Sequence, residues 1–332
     1  MNNKTLPIIT IAGFLGSGKT TMLNYILKHS EGRRIAVIVN DFGETNIDSM
    51  LIAGKTDEKI ELSNGCICCS MGDNGLDDTL EAILKQSNAI DAIIIEASGI
   101  AEPSEVKRMV LTSKNKKISF GGLVYIIDAQ NYGGTKKRYP NIVDHIKAAD
   151  CIVLNKSSAI SANQESYLKN DLKKINAQTP VVATIFGEID PELLFDIELK
   201  KDQQLSLAHA RDGHSTHMHS RFSSLSFESS DPLGPAKFIE FIKKPLKGVY
   251  RAKGFAYFGM KGLEQKLIVQ KVGNRLEFLL EGWKEGESLK TELVFIGVDI
   301  DKEEIEKQLA ECIDKTPDNI SSGEMLDVRS YM

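Results

Sequence analysis

The sequence predicts an α/β protein, with a doubly wound, mostly parallel sheet in its first part and a smaller α+β domain in its second. Two observations carry this expectation. Up to about residue 190, short β-rich apolar runs alternate with helical stretches, and the runs lack the in–out alternation of half-exposed strands. From about residue 220 the apolar residues recur with a period of two, the pattern of a largely antiparallel sheet.

The expected strands of the first part are 7–12 (PIITIA), 34–40 (RIAVIVN), 91–96 (DAIIIE), 122–128 (GLVYIID), 150–155 (DCIVLN) and 180–185 (PVVATI). Helices are expected near 19–29, 74–88, 103–112, 140–148 and 161–175. In the second part, 221–229, 249–259, 266–281 and 292–300 read as strand segments, and 234–244 and 302–314 as helices. Between the two parts, residues 200–221 (KKDQQLSLAHARDGHSTHMHSR) are polar and hold four of the six histidines. The division is therefore 1–200 for a nucleotide-binding domain, 201–221 for a His-containing linker and 222–332 for the α+β domain; 332 residues are too many for one ordinary core.

Bulk chemistry narrows the function. With 42% hydrophobic and 26% charged residues the chain reads as globular and water-soluble, and no apolar run approaches the ~20 residues of a membrane span. A net charge of −5 gives no general attraction to nucleic acid or anionic lipid. The N-terminus lacks a convincing cleavage site, so a cytoplasmic location is expected. Five cysteines, three of them within four positions, do not make a secreted disulfide framework.

Residues 13–20, GFLGSGKT, fit the phosphate-binding loop G-x-x-x-x-G-K-[ST], with a strand before and a helix after. Glycines let backbone N–H groups converge on phosphate oxygens at a helix N-terminus. Gly13, Gly16, Ser17, Gly18, Lys19, Thr20 and Thr21 are the candidate nucleotide-binding residues; Lys19 would reach the β- and γ-phosphates and the Thr20 hydroxyl would ligate Mg²⁺. Three later segments suit a nucleotide switch. Glu96 ends a buried strand with Gly99 three residues on, the places of a Mg²⁺-linked carboxylate and a γ-phosphate-sensing glycine. The loop NDFGETNID (40–48) carries Asp41, Glu44 and Asp48. Asn155 and Lys156 follow another strand, where they can lie beside a purine base.

The stretch ELSNGCICCS (61–70) places Cys66, Cys68 and Cys69 as candidate metal ligands. Thiolates suit zinc and other borderline or soft ions. In an extended segment residues 66 and 68 share a face and 69 does not, so convergence needs a turn after Cys68. Three thiolates leave one tetrahedral position for water, Asp41 or a partner protein, an exchangeable arrangement suited to a carrier. A redox pair and simple burial are the competing readings. His214, His217 and His219 could capture metal and pass it on, or could be part of a solvated linker. Cys151 and Cys312 read as core residues, and His29 and His145 as helix-surface residues.

GFLGSGKTT, NDFGE, ELSNGCICC, EASGIAEP and LNK, in that order, resemble the CobW-like family of P-loop GTPases, and the likeness continues through YRAKGFAYFG and ELVFIGVDID. The resemblance implies GTP hydrolysis coupled to binding and delivery of a divalent transition metal, zinc or cobalt, to a client metalloprotein. It implies that Lys19 and Thr20 hold phosphate and Mg²⁺, that Glu96 belongs to the hydrolytic machinery, that Cys66, Cys68 and Cys69 are the metal motif, and that Asn155 and Lys156 sit at the base. Two positions depart from the family pattern. Ser158 stands where the guanine signature has aspartate, which predicts a weaker guanine preference unless Asp150, Glu188 or a backbone group compensates. Asp41 stands where glutamate is usual. The alternatives are a P-loop small-molecule kinase with incidental cysteines, or a nucleotide-binding assembly scaffold.

Overall fold

The computed structural model describes residues 5–30, 32–39, 49–53, 62–63, 75–86, 90–99, 102–195, 222–259 and 265–314. The chain divides into two compact units, residues 1–177 with 181–220, and residues 178–180 with 221–332.

The first unit begins with β1 (Leu6–Gly13), α1 (Lys19–Lys28) and β2 (Ile35–Val39). It continues through β3 (Ser49–Ala53), β4 (Leu62–Ser63), α2 (Gly75–Gln86), β5 (Ala92–Glu96), α3 (Pro103–Thr112) and β6 (Ile118–Asp128). It closes with α4 (Tyr132–Arg138), α5 (Ile142–Ala148), β7 (Cys151–Asn155), α6 (Ala162–Ile175) and β8 (Val181–Ala183). The strands form one sheet in the order β4-β3-β2-β5-β1-β6-β7-β8. From β2 to β8 neighbouring strands are parallel, while β3 and β4 add an antiparallel edge. This is the doubly wound sheet that the apolar runs predict. Ile8, Ile9, Ile11, Ile93 and Ile94 are fully buried because helices cover both faces. After β1 the chain turns to β2 on one side of it, and later places β6 on the other. The loop leaving β1 thus stands at the point where strand order reverses, the usual ligand crevice of such sheets.

Two local differences from the sequence pattern have clear causes. Helix α4, YGGTKKR, carries two glycines, which disfavour helix by about 1 kcal/mol each. Tertiary contacts override that propensity: Tyr132 is buried, its hydroxyl donates to Asp171 Oδ2 (2.9 Å), and Lys136 Nζ donates to the same oxygen (2.6 Å). His145 is buried rather than on a helix surface. Tyr125 Oη lies 3.1 Å from its Nδ1 and Glu102 Oε2 lies 3.2 Å from its Nε2, so both ring nitrogens have partners.

The second unit contains β9 (Phe222–Ser229), α7 (Pro235–Lys243), β10 (Val249–Ala256), β11 (Gln265–Val272), β12 (Arg275–Gly282), β13 (Thr291–Val298) and α8 (Lys302–Glu311). Its sheet is antiparallel throughout, in the order β12-β11-β10-β13-β9. The segment 266–281 is two strands of a hairpin, reversed at Gly273–Asn274. Phe238, Ile239, Phe241 and Ile242 of α7, with Ile305 and Leu309 of α8, pack with Phe258, Phe278 and Phe295 in one core. Cys312 joins that core, and Cys151 is buried in β7. Lys271 is buried too, its Nζ donating to Ile242 O (2.8 Å) and Lys244 O (3.3 Å), two of the carbonyls left open at the end of α7.

Candidate functional site

The loop after β1 runs straight into α1. Its cap residue, Gly18, has no side chain to accept from the first-turn N–H groups, and no acidic residue stands in that turn. By contrast, Ser161 and Gln164 form a reciprocal capping box at the start of α6. The positive end of the helix dipole, with no side chain capping its N–H groups, makes the start of α1 suited to an anion. Gly18 has φ 106°, and a Cβ there would lie 2.3 Å from Asn155 Nδ2, so the close approach of loop and β7 requires glycine.

Lys19 Nζ reaches back over the loop, donating to Gly13 O (3.0 Å) and Phe14 O (3.4 Å). Ser17 Oγ is buried without a hydrogen-bond partner, which leaves a polar atom of the loop available to a phosphate oxygen. Thr20 Oγ1 donates to Glu96 Oε1 at 2.7 Å, bringing the first turn of α1 and the end of β5 together. A hydroxyl and a buried carboxylate side by side are hard oxygen donors of the kind Mg²⁺ takes, so the residues fit that ion. Gly99 lies beyond β5 with its Cα against Leu15 of the loop: an added Cβ would meet Leu15 Cδ2 at 2.6 Å.

Asn155 acts as a brace. It is buried; its Nδ2 donates to Ser17 O (2.9 Å), and its Oδ1 accepts from Gly187 N–H (2.9 Å) and from Thr184 Oγ1 (3.2 Å). Its side chain therefore ties the phosphate loop to the segment after β8. Lys156, in the left-handed region at φ 59°, pairs with Asp128 Oδ2 at 2.6 Å. Asp128 also accepts from the Gln130 and Asn131 N–H groups and from Asn131 Nδ2. Burial alone would raise this carboxyl, but the bonds from Lys156 and Asn131 outweigh it and hold its pKa below the ordinary value. A cavity of about 260 Å³ opens here, its lining including Phe14, Gly16, Ser17, Asp128, Tyr132 and Lys156. Neither Asp128 nor Tyr132 stands out by motif; the place of Asp128 at the carboxyl end of a central strand is the signal that marks it.

Ser158 is exposed in a short turn after Lys156. Asp150 does not compensate for it. That carboxylate is buried and accepts from Lys107 Nζ on both oxygens (2.9 and 3.0 Å) and from Leu123 N–H (2.9 Å). Thr21, also in the first turn of α1, is exposed. The candidate metal ligands Cys66, Cys68, Cys69, Asp41, His214, His217 and His219 lie outside the described residues, as do Glu44 and Asp48. Among the described residues, no three His, Cys, Asp or Glu side chains converge as a metal site.

The nucleotide-binding domain of the CobW/HypB/UreG family matches residues 7–183, and the cobalamin synthesis protein cobW C-terminal domain matches residues 222–313. The chain belongs to the CobW/HypB/UreG family. This CobW-family chain is 29% identical to the zinc chaperone CobW of a Sinorhizobium species, over 90% of this chain and 94% of that protein. It is 34% identical to the zinc-regulated GTPase metalloprotein activator 1 of Schizosaccharomyces pombe, over 56% of this chain; the match spans about half of that relative, 47%. Among solved structures, the Zn(II)-bound YjiA GTPase of E. coli is similar at 23% identity and a TM-score of 0.47, covering 95% of this chain and all of that one. No helix among the described residues is long and apolar enough to cross a membrane.

Proposed function

We propose that this protein is a nucleotide-gated metallochaperone that hydrolyses GTP, or a related nucleoside triphosphate, to control the binding and delivery of zinc or cobalt to a client metalloprotein. The observation that carries the nucleotide half is the paired Thr20 hydroxyl and Glu96 carboxylate beside an uncapped helix N-terminus. The metal half rests on the Cys66–Cys68–Cys69 motif together with the zinc chaperone and zinc-regulated activator among its relatives.

In this reading the N–H groups at the start of α1 and the Lys19 ammonium take the phosphates, and Lys19 exchanges its backbone carbonyl partners for phosphate oxygens. Thr20 and Glu96 would hold Mg²⁺, which when bound neutralises charge on the β- and γ-phosphate oxygens. Gly99 admits the terminal phosphate where any side chain would press on Leu15. Lys156 orients the base and ribose end, itself fixed by Asp128. The cysteines supply thiolates to the transferred metal, with Asp41, solvent or the client completing its coordination and His214, His217 and His219 as entry ligands.

The test is metal affinity of the full chain, measured for Zn²⁺ and Co²⁺ with GTP, with GDP and without nucleotide, in the wild type and in Cys66→Ala. Affinity that depends on the nucleotide and falls in Cys66→Ala is expected. Identical affinities in all states would falsify the coupling.

A further inference from the structure

We propose that Phe186 is the aromatic plate on which the nucleotide base stacks, so that this chain holds its ligand more by the face of the base than by its hydrogen-bonding edge. The inference rests on the nucleotide-binding reading above and adds to it a residue that no motif marks.

The backbone at Phe186 is strained. Residues 185–188 form a tight turn in which Glu188 N–H donates to Ile185 O (3.3 Å). Its two central residues, Phe186 and Gly187, both have positive φ, 56° and 69°. That is the type I′ pattern, normally filled by glycine, asparagine or aspartate. Gly187 suits it, and is also required by the approach of α1, since a Cβ there would lie 2.9 Å from Met22 Cα. Phenylalanine at 186 runs against it, because a bulky L residue is disfavoured in the left-handed region. Burial does not offset that cost. The residue is 71% exposed, the highest value among the large exposed hydrophobic residues described. A strained backbone presenting an apolar ring to solvent breaks two rules of folding at one residue, the kind of conflict that collects at ligand sites.

Position supplies the ligand. Strands β7 and β8 are adjacent and parallel, with Leu154 opposite Ala183. Lys156 and Phe186, the two left-handed non-glycine residues among those described in this unit, follow the carboxyl ends of those strands. The turn is fixed to the phosphate loop through one side chain: Gly187 N–H donates to Asn155 Oδ1, and Asn155 Nδ2 donates to Ser17 O. A nucleotide with its phosphates at the start of α1 and its base over the ends of β7 and β8 would meet this turn. Two of the groups that could read the base edge are weak or committed. Ser158 offers one neutral hydroxyl in place of a carboxylate, and Asp150 is consumed by Lys107. A flat ring is sequence-tolerant by nature, since every base has a π-face.

The test is calorimetric titration of the full chain, in the presence of Mg²⁺, with GDP, IDP and ADP, and with tripolyphosphate as a base-free probe. Phe186→Asn suits the turn and is expected to raise the thermal unfolding midpoint while weakening all three diphosphates by about 10-fold. Tripolyphosphate affinity should be unchanged, and Phe186→Trp should keep wild-type diphosphate affinity. Wild-type diphosphate affinity in the folded Phe186→Asn protein overturns the proposal and leaves the nucleotide reading standing. An equal loss for tripolyphosphate overturns it as well, since the phosphate loop would then be what changed. A wild-type chain that binds none of the four probes overturns both readings.

Discussion

Thr20 Oγ1 donates to Glu96 Oε1 at 2.7 Å, joining the helix that follows the phosphate loop to a strand 76 residues later in the chain. The carboxylate is the charged member of this pair, so Glu96→Gln keeps the shape and removes the charge. GTP turnover is expected to fall by about 100-fold or more, while GDP affinity measured without Mg²⁺ stays close to wild type. Single-turnover phosphate release beside a GDP titration checks both halves.

Asn155 holds three partners from inside the protein. Asn155→Ala leaves the Ser17 carbonyl and the Gly187 N–H without theirs, and a loss of about 2–3 kcal/mol in unfolding free energy is expected. Urea denaturation measures it. Nucleotide affinity should fall in the same variant because the phosphate loop loses its brace.

Ser158→Asp restores a carboxylate at the position where the family signature has one. GDP should then gain over IDP, which lacks the 2-amino group, by about 10-fold or more, the range of a hydrogen bond to a charged acceptor. An unchanged GDP-to-IDP ratio would mean that the base edge does not face this residue.

The Lys107–Asp150 pair is largely buried, with Asp150 also accepting from Leu123 N–H. Lys107→Met removes one partner and leaves the carboxylate uncompensated, at a cost of about 3–5 kcal/mol. The loss should shrink as pH falls and Asp150 takes up a proton, which chemical denaturation of both proteins at pH 7 and pH 5 can follow.

Burial lowers the pKa of Lys271 from 10.5 to about 8. Between those values the unfolded chain binds more protons at this site than the folded one, so the contribution of Lys271 to stability rises with pH from about 8 to 10.5 and is flat below 8. Relative to Lys271→Met, the wild type should therefore gain up to about 3 kcal/mol across that window. Unfolding of both proteins at pH 7.5 and pH 10.5 gives the difference directly, with the other lysines cancelling.

The sheet and the phosphate loop were legible in the sequence because their signals are local. A short apolar, β-branched run before a glycine-rich loop reads as a strand buried on both faces, and the motif's own spacing names the candidate phosphate-binding residues. Asp128, Asn155 and Lys156 are different. Their sequence places them at strand ends, but only the strand order shows that Asn155 braces the loop instead of facing outward, and that Asp128 holds Lys156. Helix α4 hid behind its glycines because its stability comes from Asp171 on another helix. His145 differs for a simpler reason. Ile142, His145, Ile146 and Ala149 share one helical face, and its place on that face buries it although its type suggests a surface. Phe186 carried no signal at all, since a residue name does not disclose the sign of φ.

Asn155 grips the phosphate loop with its nitrogen and the turn after β8 with its oxygen, so the two banks of the cleft are one piece. A cleft built this way does not open like a jaw. Whatever ligand it takes would bind to a bed already set by one amide.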